Sequence, residues 1–199
     1  MTSTDRGRNR HDYWNIDLRN GLPLDADEVW ARWFARQHKC STCGTLLLPD
    51  TADTSIQIAE PPTKLMDSVD GLMEIWHRSV LEIAAPFMPP IVEWPVANAI
   101  GMRATEYVAF HCPMRHRVRD RHPNAAEFQC AKCGTWRSTM FGPYNILPDG
   151  PLPFPIVFTV LGMMFVNDEV KALPVWQRVK GLTFTRAPRE SEERAKGPI

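Results

Sequence analysis

Between Asp25 and Lys39 the apolar residues Val29, Trp30, Trp33 and Phe34 fall at helical spacing and predict an amphipathic helix. Asp25 is placed to cap it, Asp27 and Glu28 suit its positive end, and Arg36 and Lys39 suit the other. A second stripe, Val69, Leu72, Met73, Trp76, Val80, Ile83 and Ala84, predicts a helix that Pro86 stops, with Gly71 as its weak point. Further on the pattern changes. Thr105 to Cys112 and Ile156 to Val166 are rich in β-branched and aromatic residues and predict strands. Asn167 then predicts a helix cap, Val170 to Val179 a helix interrupted at Pro174, Gly181 its end, and Leu182 to Arg186 a short alternating strand. Residues 1–12 and 187–199 are charged or small, lack periodicity, and predict mobile tails. The pattern predicts one α+β domain over 13–186, built of helices and short sheets.

Composition narrows the function classes. A chain of 199 residues can build one good core. Lys+Arg and Asp+Glu are both 23, so no overall field draws the chain to nucleic acid or an anionic membrane. The longest apolar run, Pro155 to Val166, is about half of the ~20 residues needed to cross a bilayer. The first dozen residues lack the apolar centre of a secretion signal. A cytoplasmic location is expected, with no membrane contact. There, five cysteines read as metal ligands or thiols rather than disulfides. The 18 prolines, many of them between 61–62, 86–95 and 143–155, predict stiff, extended connections.

Two matched motifs dominate the chemistry: Cys40-Ser41-Thr42-Cys43-Gly44 and Cys130-Ala131-Lys132-Cys133-Gly134. Each spacing lets a single turn present two thiolates to one ion, and the following glycine can take the positive φ such a turn needs. Four thiolates complete a tetrahedral shell with no open position, which is a structural Zn2+ site, a zinc-knuckle pair pinning remote segments. The long loop between the knuckles is no objection, because closure cost grows only with the logarithm of length. Structural zinc contributes on the order of 10 kcal/mol in small peptides.

Three other readings compete. A redox dithiol needs its cysteines at a helix start after a strand, whereas Cys40 follows a predicted helix and Gly134 follows Cys133. Iron could occupy the same four-thiolate shell. Other ligands could enter: Cys112 and His116 form a local set with Cys130 and Cys133, and His38 lies two residues before Cys40. Cys112 by itself reads better as a buried thiol in a strand.

Arg115, Arg117, Arg119 and Arg121, with His116 and His122, make a basic stretch before the second knuckle that could grip phosphates. The opposing reading is a solvated loop, or one that docks an acidic protein. Trp30, Trp33 and Trp76 lie on predicted core faces, leaving Trp94 and Trp136 as candidate partner contacts, although packing suits each better. A catalytic set is not found: there is no phosphate-binding glycine loop, nucleophile elbow or HExxH. His111 and Cys112 are strand neighbours and so point to opposite faces. A non-catalytic protein is expected.

The motifs CSTCG and CAKCG, with the block FTVLGMMFVNDEVKALPVWQRVKGLTF, resemble the bacterial double-CXXCG motif family, whose members include immunity proteins against secreted toxins. The likeness covers roughly Cys130 to Phe184 and the surroundings of Cys40. In that family the second motif is followed by a strand, a short helix and a closing strand, which Gly181-Leu182-Thr183-Phe184 fits. Residue by residue the resemblance carries over only the four cysteines as metal ligands. It implies a protein partner, a toxin to be neutralised; a zinc-containing nucleic-acid-binding module is the alternative.

Overall fold

The computed structural model describes residues 12–18, 38–45, 47–48, 55–58, 66–69, 73–98, 103–120, 126–138, 145–160 and 162–195. Its strands begin with β1 (Tyr13–Leu18), β2 (Ile56–Ile58), β3 (Met66–Val69) and β4 (Met73–His77), followed by helix α1 (Arg78–Ala84). Then come β5 (Val92–Asn98), β6 (Arg103–His111), β7 (Arg119–Asp120), β8 (Glu127–Gln129), β9 (Trp136–Ser138) and β10 (Asn145–Ile146). The chain continues with β11 (Ile156–Phe158), β12 (Met164–Asn167), helix α2 (Asp168–Lys171), β13 (Leu182–Arg186) and helix α3 (Glu190–Ala195). Short helices on mostly antiparallel sheets are the predicted α+β class.

In the larger sheet, ordered β2-β5-β6-β4-β3, successive side chains of β6 feed two cores. Val108 and Phe110 join Trp76 on one face; Tyr107 and Ala109 join Met73 and Ile75 on the other. With both faces covered, β4 is buried at Met73, Glu74, Ile75 and Trp76 in succession and shows no period of two. This corrects the helix predicted from Val69. Its first half is the antiparallel pair β3–β4, with Val69 opposite Met73, and the helix is confined to Arg78–Ala84. His77 caps α1 by accepting from the Ser79 N–H at 3.2 Å, and a 3-10 turn containing Pro86 ends it.

Trp94 is also corrected. The proline-rich surroundings suggested an exposed contact, yet Trp94 lies inside β5, is 1% exposed, and packs with Ile56, Ile75 and Val96. Pro95 is accommodated at a register shift between Pro95 and Ala97, where the ladder is already irregular.

The second sheet is ordered β11-β12-β1-β13. The run Ile156–Val166, predicted as one strand, is a hairpin: Thr159 N–H donates to Met163 O at 2.9 Å and Gly162 takes φ 78°. Beyond it the cap, the break at proline and the closing glycine hold, but the predicted helix Val170–Val179 is reduced to the single turn α2 and a separate 3-10 turn. Asn167 Oδ1 accepts from Val170 N–H at 2.9 Å, Pro174 opens a 3-10 turn over Pro174–Arg178, and Gly181 takes φ 78°. Asn167→Ala is expected to cost about 1 kcal/mol, read as a lower urea midpoint with unchanged slope.

Residues 187–195 are not a tail. Ala187 and Arg189 are buried, and Arg189 Nη1 donates to Pro148 O at 2.8 Å and Gly150 O at 3.1 Å. The main core fills the space between the sheets, where Trp76 meets Phe110 edge to face at 5.0 Å and Trp176 at 6.2 Å. Of the predicted tail over 1–12 only Asp12 is described, and it accepts from Arg186 Nη2 at 3.0 Å; apart from His38 and Lys39, the predicted helix Asp25–Lys39 lies outside the described residues. Among the described residues no helix is long and apolar enough to cross a membrane.

Candidate metal centre

The two knuckles have the same local architecture. In the first, Cys40 N–H donates to Thr45 O at 2.8 Å and Gly44 N–H to Cys40 O at 2.8 Å. In the second, Cys130 N–H donates to Thr135 O at 3.0 Å and Gly134 N–H to Cys130 O at 2.8 Å. Gly44 and Gly134 take φ 70° and 71°, a left-handed conformation that any side chain would strain. β8 leads into the second knuckle and β9 out of it, so that knuckle is the turn of a short hairpin. The first is closed outside its turn by Leu47 N–H donating to His38 O at 2.7 Å.

Chain segments 90 residues apart thus meet sulfur to sulfur. Cys40 Sγ lies 3.8 Å from Cys130 Sγ, Cys43 Sγ lies 3.6 Å from Cys133 Sγ, and all four lie within 4.8 Å of one another. A zinc–sulfur bond of about 2.3 Å places the corners of a tetrahedron about 3.8 Å apart, so the set fits a four-thiolate shell. Four sulfurs so placed can hold a metal ion, which answers the electrostatic problem that gathering four thiolates creates.

The surroundings favour the thiolate form in the first knuckle. The Thr45 hydroxyl, 3.1 Å from Cys43 Sγ, and the Thr45 backbone N–H lower the Cys43 thiol to about 6. Backbone N–H groups of Cys43 and Thr42 lower Cys40. Cys130 receives the same kind of support from Cys133 and Lys132, but burial and the proton it shares with neighbouring thiols push it up. Gathered sulfurs of this kind compete for protons, and a metal ion removes that competition. Lys132 Nζ donates to Ser41 Oγ at 2.7 Å, a polar tie between the knuckles.

The structure gathers Cys40, Cys43, Cys130 and Cys133 and leaves the alternates out. Among the described residues, Cys112, His116 and His38 do not belong to the metal-compatible group. Cys112 is buried at the end of β6 and donates to Met114 O at 3.1 Å; burial pushes its thiol up. His116 forms a backbone bridge to Thr159, donating to Phe158 O at 2.7 Å. Burial lowers its imidazole.

Two arginines of the basic stretch are used within the fold. Arg115 is drawn inward, its Nη1 donating to Thr159 O at 3.1 Å. Arg117 pairs with Glu127 at 3.1 Å and lays its guanidinium 3.7 Å from the ring centre of half-buried Trp136. Arg119 lies in β7, and Arg121 falls outside the described residues. A cleft of about 430 Å³ runs beside the second knuckle, bounded by Leu47, Cys112, Arg115, Cys133 and Trp136.

The supporting threonines escaped the reading of the sequence, although their signal was present. Both motifs extend by one residue to Cys-x-x-Cys-Gly-Thr, and Thr45 and Thr135 receive the hydrogen bonds that close the two turns. Neither a family model nor any curated protein matches the chain.

Proposed function

We propose that the cysteine tetrad holds one structural zinc ion and that the protein is a non-catalytic binding protein that neutralises a toxin. The spacing of the four sulfurs, 3.6 and 3.8 Å across the knuckles, carries the metal assignment. A closed four-thiolate shell offers no position for water or substrate, so the ion acts by tying Cys40–Cys43 to Cys130–Cys133 and not by chemistry. Metal analysis tests this: one zinc per chain in colourless protein is expected, whereas visible thiolate-to-iron absorption would assign iron.

The toxin-neutralising role is supported by the resemblance of the two motifs and the Cys130–Phe184 block to immunity proteins. A protein of that kind needs a rigid complementary surface and no catalytic group. The test is co-expression with the product of an adjacent toxin gene. Growth rescue and a stable complex support the role, and no rescue by soluble, zinc-loaded protein overturns it.

The nucleic-acid reading gains little from the arginines, since Arg115 and Arg117 both have intramolecular partners. Under the proposed function, labelled DNA and RNA are expected not to bind at low salt, and Arg117→Glu with Arg119→Glu to change nothing. Affinity that falls steeply with salt and disappears in the double variant would reverse the choice.

A further inference from the structure

Two Sγ···Sγ contacts of the tetrad, 3.8 Å for Cys40–Cys130 and 3.6 Å for Cys43–Cys133, cross from one knuckle to the other. The two pairs also differ in access. Cys40 and Cys130 are 3% and 4% exposed, whereas Cys43 and Cys133 are half-buried and open to small solutes. Cys133 also forms part of the wall of the cleft, together with Cys112. Thiolate character and access together decide which cysteines react with oxidants.

We propose that the tetrad is also an oxidation site, at which hydrogen peroxide joins Cys43 to Cys133, then Cys40 to Cys130, and expels the metal. This rests on reading the tetrad as a zinc site. A thiolate of the outer pair attacks the peroxide and the O–O bond breaks. One oxygen remains on sulfur as a sulfenic acid; the other leaves as hydroxide and is protonated to water. The facing thiolate attacks the sulfenic sulfur, the S–S bond forms, and hydroxide leaves to become a second water. Two electrons pass from the sulfur pair to the peroxide, and a second equivalent repeats the reaction at Cys40 and Cys130. The ion is released as its ligands are consumed. Because both disulfides cross between knuckles, the segments the metal had tied stay tied covalently.

The test is titration of zinc-loaded, full-length protein with hydrogen peroxide. Zinc release is followed with a chromogenic chelator and disulfides are mapped by digestion without reductant. The expected result is a Cys43–Cys133 link appearing with zinc release during the first equivalent, the Cys40–Cys130 link during the second, and full reversal by thiol plus zinc. Cys112→Ser should give the same map. The oxidised, metal-free protein should melt about 10 °C above its reduced, metal-free form, because the cross-links close long loops. Disulfides within a knuckle, a Cys112–Cys133 link, or sulfinic acid in place of disulfide would each overturn the proposal. Protein that takes up no zinc would instead overturn the metal reading. The same map on its thiols still decides the pairing, in favour if the links cross and against if they do not.

Discussion

Cys130→Ser should abolish metal binding and unfold the protein at temperatures where the unmodified chain is stable. The serine hydroxyl keeps its proton near neutral pH and is a poor zinc ligand, so the shell drops to three thiolates. What remains is a cluster of sulfurs competing for protons at the meeting point of segments 90 residues apart. Structural zinc contributes on the order of 10 kcal/mol in small peptides, comparable with the whole stability of a domain, about 5–15 kcal/mol. The loss therefore affects the entire fold. Zinc per chain should fall to near zero, and the thermal transition should shift down by more than about 10 °C or disappear. Cys112→Ser is the matched control. Cys112 is equally buried but lies outside the tetrad, and its bond to Met114 O is one a hydroxyl can also make. It should retain its zinc and lose no more than about 1–2 kcal/mol. Were the ion held locally by Cys112 and His116, the outcome would invert: Cys112→Ser would release it, and Cys40→Ser would not. A Cys130→Ser protein that keeps its melting temperature would refute the structural role.

The same residues show how far the sequence was readable. The cysteine tetrad was legible because the chemistry is local: the spacing of Cys40 to Cys43 and of Cys130 to Cys133 already fixes two sulfurs on one turn. Asn167, Pro174 and Gly181 were legible for a similar reason, since capping, the missing proline N–H and positive φ act within a few residues. Legibility failed where tertiary packing decides. Met73 to Trp76 fit a helical stripe as well as they fit a strand, because a strand covered on both faces has no polar side to give it a period of two. Trp94 lay among prolines that look like a loop, but a register shift lets Pro95 sit within the sheet. The apolar run from Ile156 to Val166 hid its turn, since Gly162 is a single small residue among strand formers. Arg189 gave no sign of burial, because its partners, Pro148 O and Gly150 O, are backbone groups some 40 residues away.

Trp76→Ala should be the most damaging single change away from the metal. Trp76 is fully buried in β4, paired with Met66 of β3 on one side and Val108 of β6 on the other. Its ring meets Phe110 of the larger sheet at 5.0 Å and Trp176 of the 3-10 turn at 6.2 Å, both edge to face. It therefore joins the larger sheet to the segment that follows β12, much as the knuckles join the two cysteine motifs. Truncation removes the largest apolar side chain type and leaves a cavity between sheet and turn, where relaxation is limited by the surrounding strands. The expected cost is about 3–5 kcal/mol, with part of it in the two edge-to-face contacts at about 0.5–1.5 kcal/mol each. The Trp76 indole N–H also reaches Glu74 Oε2 at 3.4 Å, so its loss removes one polar contact from a buried carboxylate. Trp76→Phe keeps much of the volume but not that N–H, and should cost about half as much. Urea unfolding at saturating zinc reads these differences without interference from metal loss, because the tetrad lies outside the core that Trp76 fills. A Trp76→Ala protein with an unchanged midpoint would mean that the larger sheet and the Trp176 turn are not joined through this side chain.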